Sequence, residues 1–308
     1  MNILFMGTPE FSVTCLKQLI VDKHNVVAVF TQPDKPKGRG NIITQSAVKT
    51  EALANGIEVY QPDTIKSEQV FRLIEQISPD IIVVVAYGKI LTKNILAMPP
   101  YGCINIHASL LPKYRGAAPI QWSIMNGETH TGVTSMLMDE GMDTGDILLT
   151  EKTVIDINEN SGDLFNRMSV IGAGLLSKTI DGLVNGHITP VKQIDNDATY
   201  APMLHKSMCR INWNMPALGI HNLIRGLAPF LYASTMINGK VVRIISSSVC
   251  DWKTGDAGEV VENGEELIVA CADKTAIRLD ILQAEGKRAM PAKQFMLGNR
   301  IVKHLVLT

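Results

Sequence analysis

Residues Ile81-Ile82-Val83-Val84-Val85-Ala86 are consecutive apolar side chains, nearly all β-branched, with no polar residue between them. A strand with one wet face alternates polar and apolar residues. A run without that alternation belongs to a strand covered on both sides, as in a parallel sheet. Ile3-Leu4-Phe5-Met6 and Val26-Val27-Ala28-Val29-Phe30 are of the same kind, and Ile57-Glu58-Val59-Tyr60 is a shorter fourth strand. Between these runs, residues 11–21, 45–54 and 66–77 carry apolar side chains at three- and four-residue spacing. That spacing makes them crossover helices, and the alternation specifies a doubly wound, Rossmann-like α/β domain. Further strands are expected at 103–109, 132–138 and 147–154, with a long amphipathic helix at 161–184.

The pattern then changes. Residues 185–207 have weak periodicity and read as a linker. Asn214-Met215-Pro216 looks like an N-cap with Pro in the first turn of a helix that ends near Gly226. The remainder of the chain is β: Asn238-Gly239 and Asn263-Gly264 each lie between apolar runs and signal hairpins. Several short strands in so few residues suggest a small barrel of the oligonucleotide-binding (OB) type. The expected organisation is therefore an α/β domain over 1–188, a linker over 189–207 and a small β-barrel over 208–308.

Composition excludes several classes. The five cysteines are odd in number, dispersed and without CxxC spacing, which suits free thiols in a reducing cytoplasm. No apolar run approaches the ~20 residues of a membrane span, so no membrane association is expected. The net charge is -1, but it is uneven. Up to Ser207 there are 17 Lys+Arg against 21 Asp+Glu, and beyond it 12 against 9, giving -4 and +3. Neutrality overall thus excludes a globally cationic binder and leaves room for a local basic surface.

Four segments could carry chemistry. Gly7-Thr8-Pro9-Glu10-Phe11 stands where a dinucleotide-binding fold places three glycines, but one glycine is present, so it reads as a strand-to-helix turn. In Cys103-Ile104-Asn105-Ile106-His107-Ala108-Ser109, a period of two puts Asn105, His107 and Ser109 on one face at the carboxyl end of a strand, where such folds bind ligands. The turn 138–146 is rich in carboxylates. An Asp from it that reaches His107 could fix the tautomer and support a protonated ring, while the Asn105 amide serves a developing oxyanion. Those are the parts of an acyl-transfer site without a covalent nucleophile. Finally, 32–41 is a loop with Lys35, Lys37 and Arg39 among two Pro and two Gly, suited to meeting phosphates.

Taken together these residues resemble the methionyl-tRNA formyltransferase family. The resemblance rests on Phe5-Met6-Gly7-Thr8-Pro9-Glu10-Phe11, Phe30-Thr31-Gln32-Pro33-Asp34 with Gly38-Arg39-Gly40, and Val85-Ala86-Tyr87-Gly88. Its core is the string from Asn105 to Gln121 containing His107-Ala108-Ser109-Leu110-Leu111-Pro112, completed by Thr131-Gly132-Val133-Thr134 and Asp143-Thr144-Gly145-Asp146. The family departs from this chain at Ala228-Pro229-Phe230, where Asn-Pro-Trp-Pro is usual. The resemblance implies 10-formyltetrahydrofolate as formyl donor, initiator methionyl-tRNA as acceptor, no metal and a cytoplasmic monomer. It also implies a catalytic trio of Asn105, His107 and Asp143. Ser109, Leu110, Leu111 and Pro112 would line the folate site, and Tyr87 and Gly88 would edge it. Lys35, Lys37, Arg39, Lys287 and Arg288 would meet the tRNA. A sugar-nucleotide N-formyltransferase, which shares the donor site, is the alternative.

Overall fold

A computed structural model describes residues 1–37, 40–251 and 255–308. Its elements divide into two compact units. The first comprises Met1–Gly116, Gly132–Thr153 and Phe165–Ala201, and the second Ala117–Thr131, Val154–Leu164 and Pro202–Thr308.

In the first unit the chain runs β1 (Asn2–Gly7), α1 (Glu10–Val21), β2 (Asn25–Phe30), β3 (Lys35–Lys37), β4 (Ile42–Thr44), α2 (Ala47–Ala54), β5 (Val59–Tyr60), α3 (Glu68–Ile77), β6 (Ile81–Val85), α4 (Lys93–Leu96) and β7 (Cys103–His107). After the short α5 (Pro119–Met125), which belongs to the second unit, come β8 (His130–Leu137), β9 (Ile147–Val154) and α6 (Ser161–Val184), whose first turn also belongs to the second unit. One sheet takes the order β5-β2-β1-β6-β7-β8-β9. It is parallel from β5 to β7, and β8 runs antiparallel to β7.

The uninterrupted apolar runs behave as their composition requires. Every residue of β6 is buried, and alternate residues serve opposite faces. Leu4, Met6, Ala28, Phe30, Ile82 and Val84 share a core with Val70 and Ile74 of α3 and Ile95 of α4. The crossover helices begin on serine caps: Ser46 accepts from the Lys49 amide at 3.0 Å and Ser67 from that of Val70 at 3.3 Å. Gly7 is the tight strand-to-helix turn expected, since a Cβ there would lie 2.7 Å from that of Ser12. Among the described residues of and after the basic loop, β3 pairs with β4 in a hairpin in which Ile42 and Ile43 are each 71% exposed.

The second unit contains α7 (Ala217–Leu227), β10 (Ala233–Ile237), β11 (Lys240–Cys250), β12 (Val260–Glu262), β13 (Leu267–Ala270), β14 (Ala276–Ala284), β15 (Met290–Pro291) and α8 (Ala292–Gly298). The antiparallel order is β10-β11-β14-β13-β12, with β15 beside β14. Residues 305–308 bridge the two edges. The Leu307 amide donates to Gly258 and that of Val260 to Leu305, while the Met236 amide of β10 donates to Thr308. The sheet therefore curls into the small barrel expected, around Ile220 and Ile224 of α7, Val242, Ile244, Leu279 and Phe295.

Two local expectations are corrected. Pro216 is itself the N-cap residue of α7, and the first helical amide, Ala217, is satisfied by the Thr275 hydroxyl at 2.8 Å rather than by Asn214. Asn238-Gly239 is a two-residue turn between Ile237 and Lys240 with positive φ at both positions. Asn263-Gly264, by contrast, opens a longer connection from Glu262 to Leu267, because the Asn263 side chain is drawn to the carbonyl of Ile301.

Polar side chains organise the underside of α7. Arg225 donates to the carbonyls of Asp156 and Glu159 and to Asn222 Oδ1. His221 Nε2 donates to the carbonyl of Ile157 at 2.9 Å, which leaves Nδ1 to accept from Ser247. Gly226 lets α5 approach: a Cβ there would fall 2.5 Å from Met125.

Candidate active site

In the first unit the sheet order reverses direction at β1, and the crevice at the carboxyl ends of β1 and β6 is the place where open α/β sheets bind ligands. Tyr87 and Gly88 follow β6 there. The Tyr87 carbonyl accepts from Gln32 Nε2 at 3.0 Å and from Thr8 Oγ1 at 3.4 Å, so the ends of β1, β2 and β6 are tied together. Ala86 and Gly88 both take positive φ to make this turn. The Tyr87 ring is buried, and its hydroxyl is the buried side-chain oxygen without a partner among the described residues. Burial pushes that phenol up to about 12, so it is a neutral donor in search of an acceptor.

β7 lies next to β6, with Asn105 opposite Val84. The strand ends at His107 rather than continuing to residue 109. Asn105 and His107 therefore share a face as expected, and Ser109 does not belong to it. The Ser109 hydroxyl instead donates to the carbonyl of Lys113 at 2.6 Å, and its own carbonyl accepts from Thr134 Oγ1 at 2.7 Å. Thr134 also accepts from the Leu111 amide, so one hydroxyl on β8 folds the Leu110, Leu111 and Pro112 loop, in which the Leu111-Pro112 peptide is cis.

Asn105 and His107 are both buried. His107 Nε2 lies 3.0 Å from the carbonyl oxygen of Tyr114. A carbonyl only accepts, so Nε2 carries the hydrogen and Nδ1 is the edge whose lone pair is available in the neutral ring. Facing Nδ1 at 3.6 Å is Asp143 Oδ2. That oxygen also accepts from the Gly116 amide at 2.8 Å. Asp143 sits at φ 57, a left-handed conformation that the surrounding contacts must hold. The structure thus brings Asn105, His107 and Asp143 to one end of the sheet, beside the loop that follows β7.

No thiol competes as nucleophile here. Cys103, at the start of the same strand, is pushed by burial up to about 12 and stays protonated. Among the described residues no group of three or more His, Cys, Asp or Glu stands together as a metal site, and no helix is long and apolar enough to cross a membrane.

Sequence reasoning missed the layer behind the trio. Arg115, 2% exposed, directs Nε and a terminal nitrogen to Gln193 Oε1 at 3.1 and 2.8 Å, and pairs with Asp195 at 2.9 Å. The segment that supplies Gln193 and Asp195 runs along the first unit, pairing Val191 with Ile147 and Tyr200 with Arg115. It has no periodicity because its anchors are isolated backbone bridges and single side chains. Nothing local in the sequence could have found them.

The basic residues fall in different places. Lys35 is exposed on β3, opposite Thr44. Lys37 closes that strand, and Arg39 lies outside the described residues. Lys287 and Arg288 are exposed in the turn between β14 and β15 of the second unit.

The formyl transferase family matches residues 1–180, and the formyl transferase C-terminal domain matches residues 203–300. The methionyl-tRNA formyltransferase of Alkaliphilus oremlandii is 44% identical over 308 residues, covering 100% of this chain and 99% of its own. That of Caldanaerobacter subterraneus subsp. tengcongensis is 45% identical with 100% of each chain covered, and that of Clostridium novyi 46%, again with 100% of each. Among solved structures, the sugar 3N-formyl transferase WlaRD superposes with a TM-score of 0.69 at 25% identity, over 94% of this chain and 99% of that one. The N-formyltransferase of Helicobacter canadensis gives 0.68 at 22%, over 92% and 98%, a likeness of fold. With both halves matched and full-length relatives of one name, the chain belongs to the methionyl-tRNA formyltransferase family.

Proposed function

We propose that the chain transfers the formyl group of 10-formyltetrahydrofolate to the α-amino group of methionine on initiator methionyl-tRNA, giving formylmethionyl-tRNA for translation initiation. The observation that carries this reading is the full-length likeness to methionyl-tRNA formyltransferases. A folate-derived donor agrees with the WlaRD structure, solved with 5-N-formyl-THF. In this reading Tyr87 and Gly88 edge the folate site, and Ser109, Leu110, Leu111 and Pro112 line it.

The amine nitrogen attacks the formyl carbon, and the carbonyl electron pair moves onto oxygen. Asn105 donates its amide N–H to that oxyanion. The attacking nitrogen, now cationic, gives a proton to Nδ1 of His107, whose other nitrogen is held by Tyr114. Asp143 stabilises the resulting imidazolium across the 3.6 Å gap. Collapse of the oxyanion breaks the bond from carbon to N10 of the folate, and the proton on His107 passes to that nitrogen. Atoms and charge balance without a metal or an acyl-enzyme.

Residues 1–188 hold the folate and the chemistry, and 208–308 meet the tRNA through Lys287 and Arg288. Lys35 and Lys37 of the hairpin, together with Arg39, contribute from the N-terminal side of the linker 189–207. The enzyme acts as a cytoplasmic monomer. The test offers labelled formyl donor with charged initiator tRNA and, in parallel, with an amino-sugar nucleotide. Label on the methionine supports the reading; label on the sugar alone identifies a sugar-nucleotide N-formyltransferase instead.

A further inference from the structure

The imidazole of His107 has two neighbours, and each is held by the same short segment. On one side Tyr114 supplies the carbonyl that fixes Nε2, and the Tyr114 amide donates to Thr199 Oγ1 at 2.9 Å. The next residue is clamped as well, because the Arg115 amide donates to the Thr199 carbonyl and the Ala201 amide to the Arg115 carbonyl, both at 2.8 Å. On the other side Asp143 faces Nδ1, and Gln193 Nε2 donates to its carbonyl at 2.9 Å and to that of Gly145 at 2.7 Å. Those two bonds straddle the left-handed turn at Asp143. Gln193 is itself fixed, since its Oε1 accepts twice from the buried Arg115.

Each part of this arrangement is specific to a glutamine. One amide must donate to two carbonyls while its oxygen takes a guanidinium. A Glu in its place would satisfy Arg115 but turn a carboxylate toward two carbonyl oxygens. An Asn is one methylene short. The exposed Asp195 adds an ion pair that solvent screens, so Gln193 is the stronger link.

We infer that Gln193, seconded by Thr199, is a positioning residue for formyl transfer: it sets the distance between Asp143 and His107 without touching substrate. The inference rests on the formyl-transfer reading. Its energetic sense is that a 3.6 Å separation closes into a charge-assisted hydrogen bond only over a narrow range of Asp143 backbone positions. A misplacement of about 1 Å costs up to a hundredfold in rate.

The test compares wild type, Gln193→Glu, Asp143→Asn and the double variant, with the full chain, charged initiator tRNA and 10-formyltetrahydrofolate. Gln193→Glu should lower kcat by about tenfold or more, with KM for both substrates within about threefold. In the Asp143→Asn background the same change should cost less than about threefold, because the residue through which it acts is already disabled. A kcat within threefold of wild type, or an equal loss in both backgrounds, would overturn the inference, the second by revealing a role in stability alone. If Gln193→Glu does not fold, Thr199→Val decides, since its side chain lies at the surface. That variant should lower kcat several-fold with unchanged KM, and wild-type kcat in it would sink the idea. Failure of the wild type itself to formylate methionyl-tRNA would remove the functional reading, an outcome distinct from an active wild type indifferent to Gln193.

Discussion

His107 Nε2 stands 3.0 Å from the Tyr114 carbonyl oxygen, whereas Nδ1 stands 3.6 Å from Asp143 Oδ2. The first distance is a hydrogen bond and the second is not yet one. The ring is anchored on one side and poised on the other, which is the disposition of a group that gains and loses a proton at Nδ1. Asp143→Asn keeps an acceptor for the Gly116 amide and removes the charge. It should reduce kcat by about a hundred- to ten-thousandfold with little change in KM, as read by steady-state transfer of labelled formyl.

Asn105 is buried on the same strand face, and the proposed mechanism has it donate to the oxyanion. Asn105→Ala should cost on the order of a hundred- to a thousandfold in turnover, with tRNA affinity unchanged in a filter-binding measurement. Turnover within tenfold of wild type would take Asn105 out of that role.

The tRNA contact should be electrostatic, because the candidate residues Lys287 and Arg288 are exposed side chains on a turn. Affinity should fall steeply with salt, and neutralising either residue should lower the log-log slope by about 0.7 to 0.9. Turnover at saturating tRNA should not move. A slope unchanged in both variants would place the phosphate contacts elsewhere.

His221 gives the second unit an acid-sensitive point. Burial, helped by the Arg225 charge, holds its pKa below the usual 6.5, against the opposing hydrogen bond to Ile157. The unfolded chain therefore binds the proton more readily, so the stability that His221 contributes is present above pH 6.5 and is lost as pH falls through its lowered value. Asp34, lowered chiefly by its bond to Lys49, and Glu259, lowered chiefly by its bond to His304, lose theirs only below the usual carboxylate values of 3.8 and 4.5. Thermal unfolding scanned from pH 7.5 to 5 should thus show a decline that His221→Gln flattens.

Gly145 is a packing requirement of the Asp143 turn. A Cβ there would lie 1.8 Å from the carbonyl oxygen of Leu137, so Gly145→Ala must displace backbone. It should destabilise by about 1–3 kcal/mol and lower kcat with it, measured by thermal melts beside the transfer assay.

Elements whose residues report their own environment were legible in the sequence. The apolar runs of β1, β2 and β6 declared a sheet covered on both faces, the serines at 46 and 67 opened helices, and Asn238-Gly239 turned a hairpin. Asn105 and His107 were legible because a strand's period of two is rigid. Ser109 was misplaced on that strand because Thr134, distant in sequence, bends the chain right after His107. Gln193 and Thr199 were invisible for the same reason, since each acts through side-chain bonds to backbone far away in the chain. The hairpin of Lys35 was hidden by its prolines and glycines, which ordinarily argue against strands.

The bridging of both barrel edges by residues 305–308 also bears on how the protein is made. Synthesis is vectorial, and the first unit has all its parts once Ala201 has left the ribosome. The second unit draws on Ala117–Thr131 and Val154–Leu164, which emerge early, but α5 meets Gly226 of α7 only about a hundred residues later. Its barrel closes later still, when 305–308 are free to pair with Met236 and Gly258. During elongation the nascent chain therefore holds every part of the first unit while α5 still waits for α7, and that interval is when a chaperone would find the second unit incomplete.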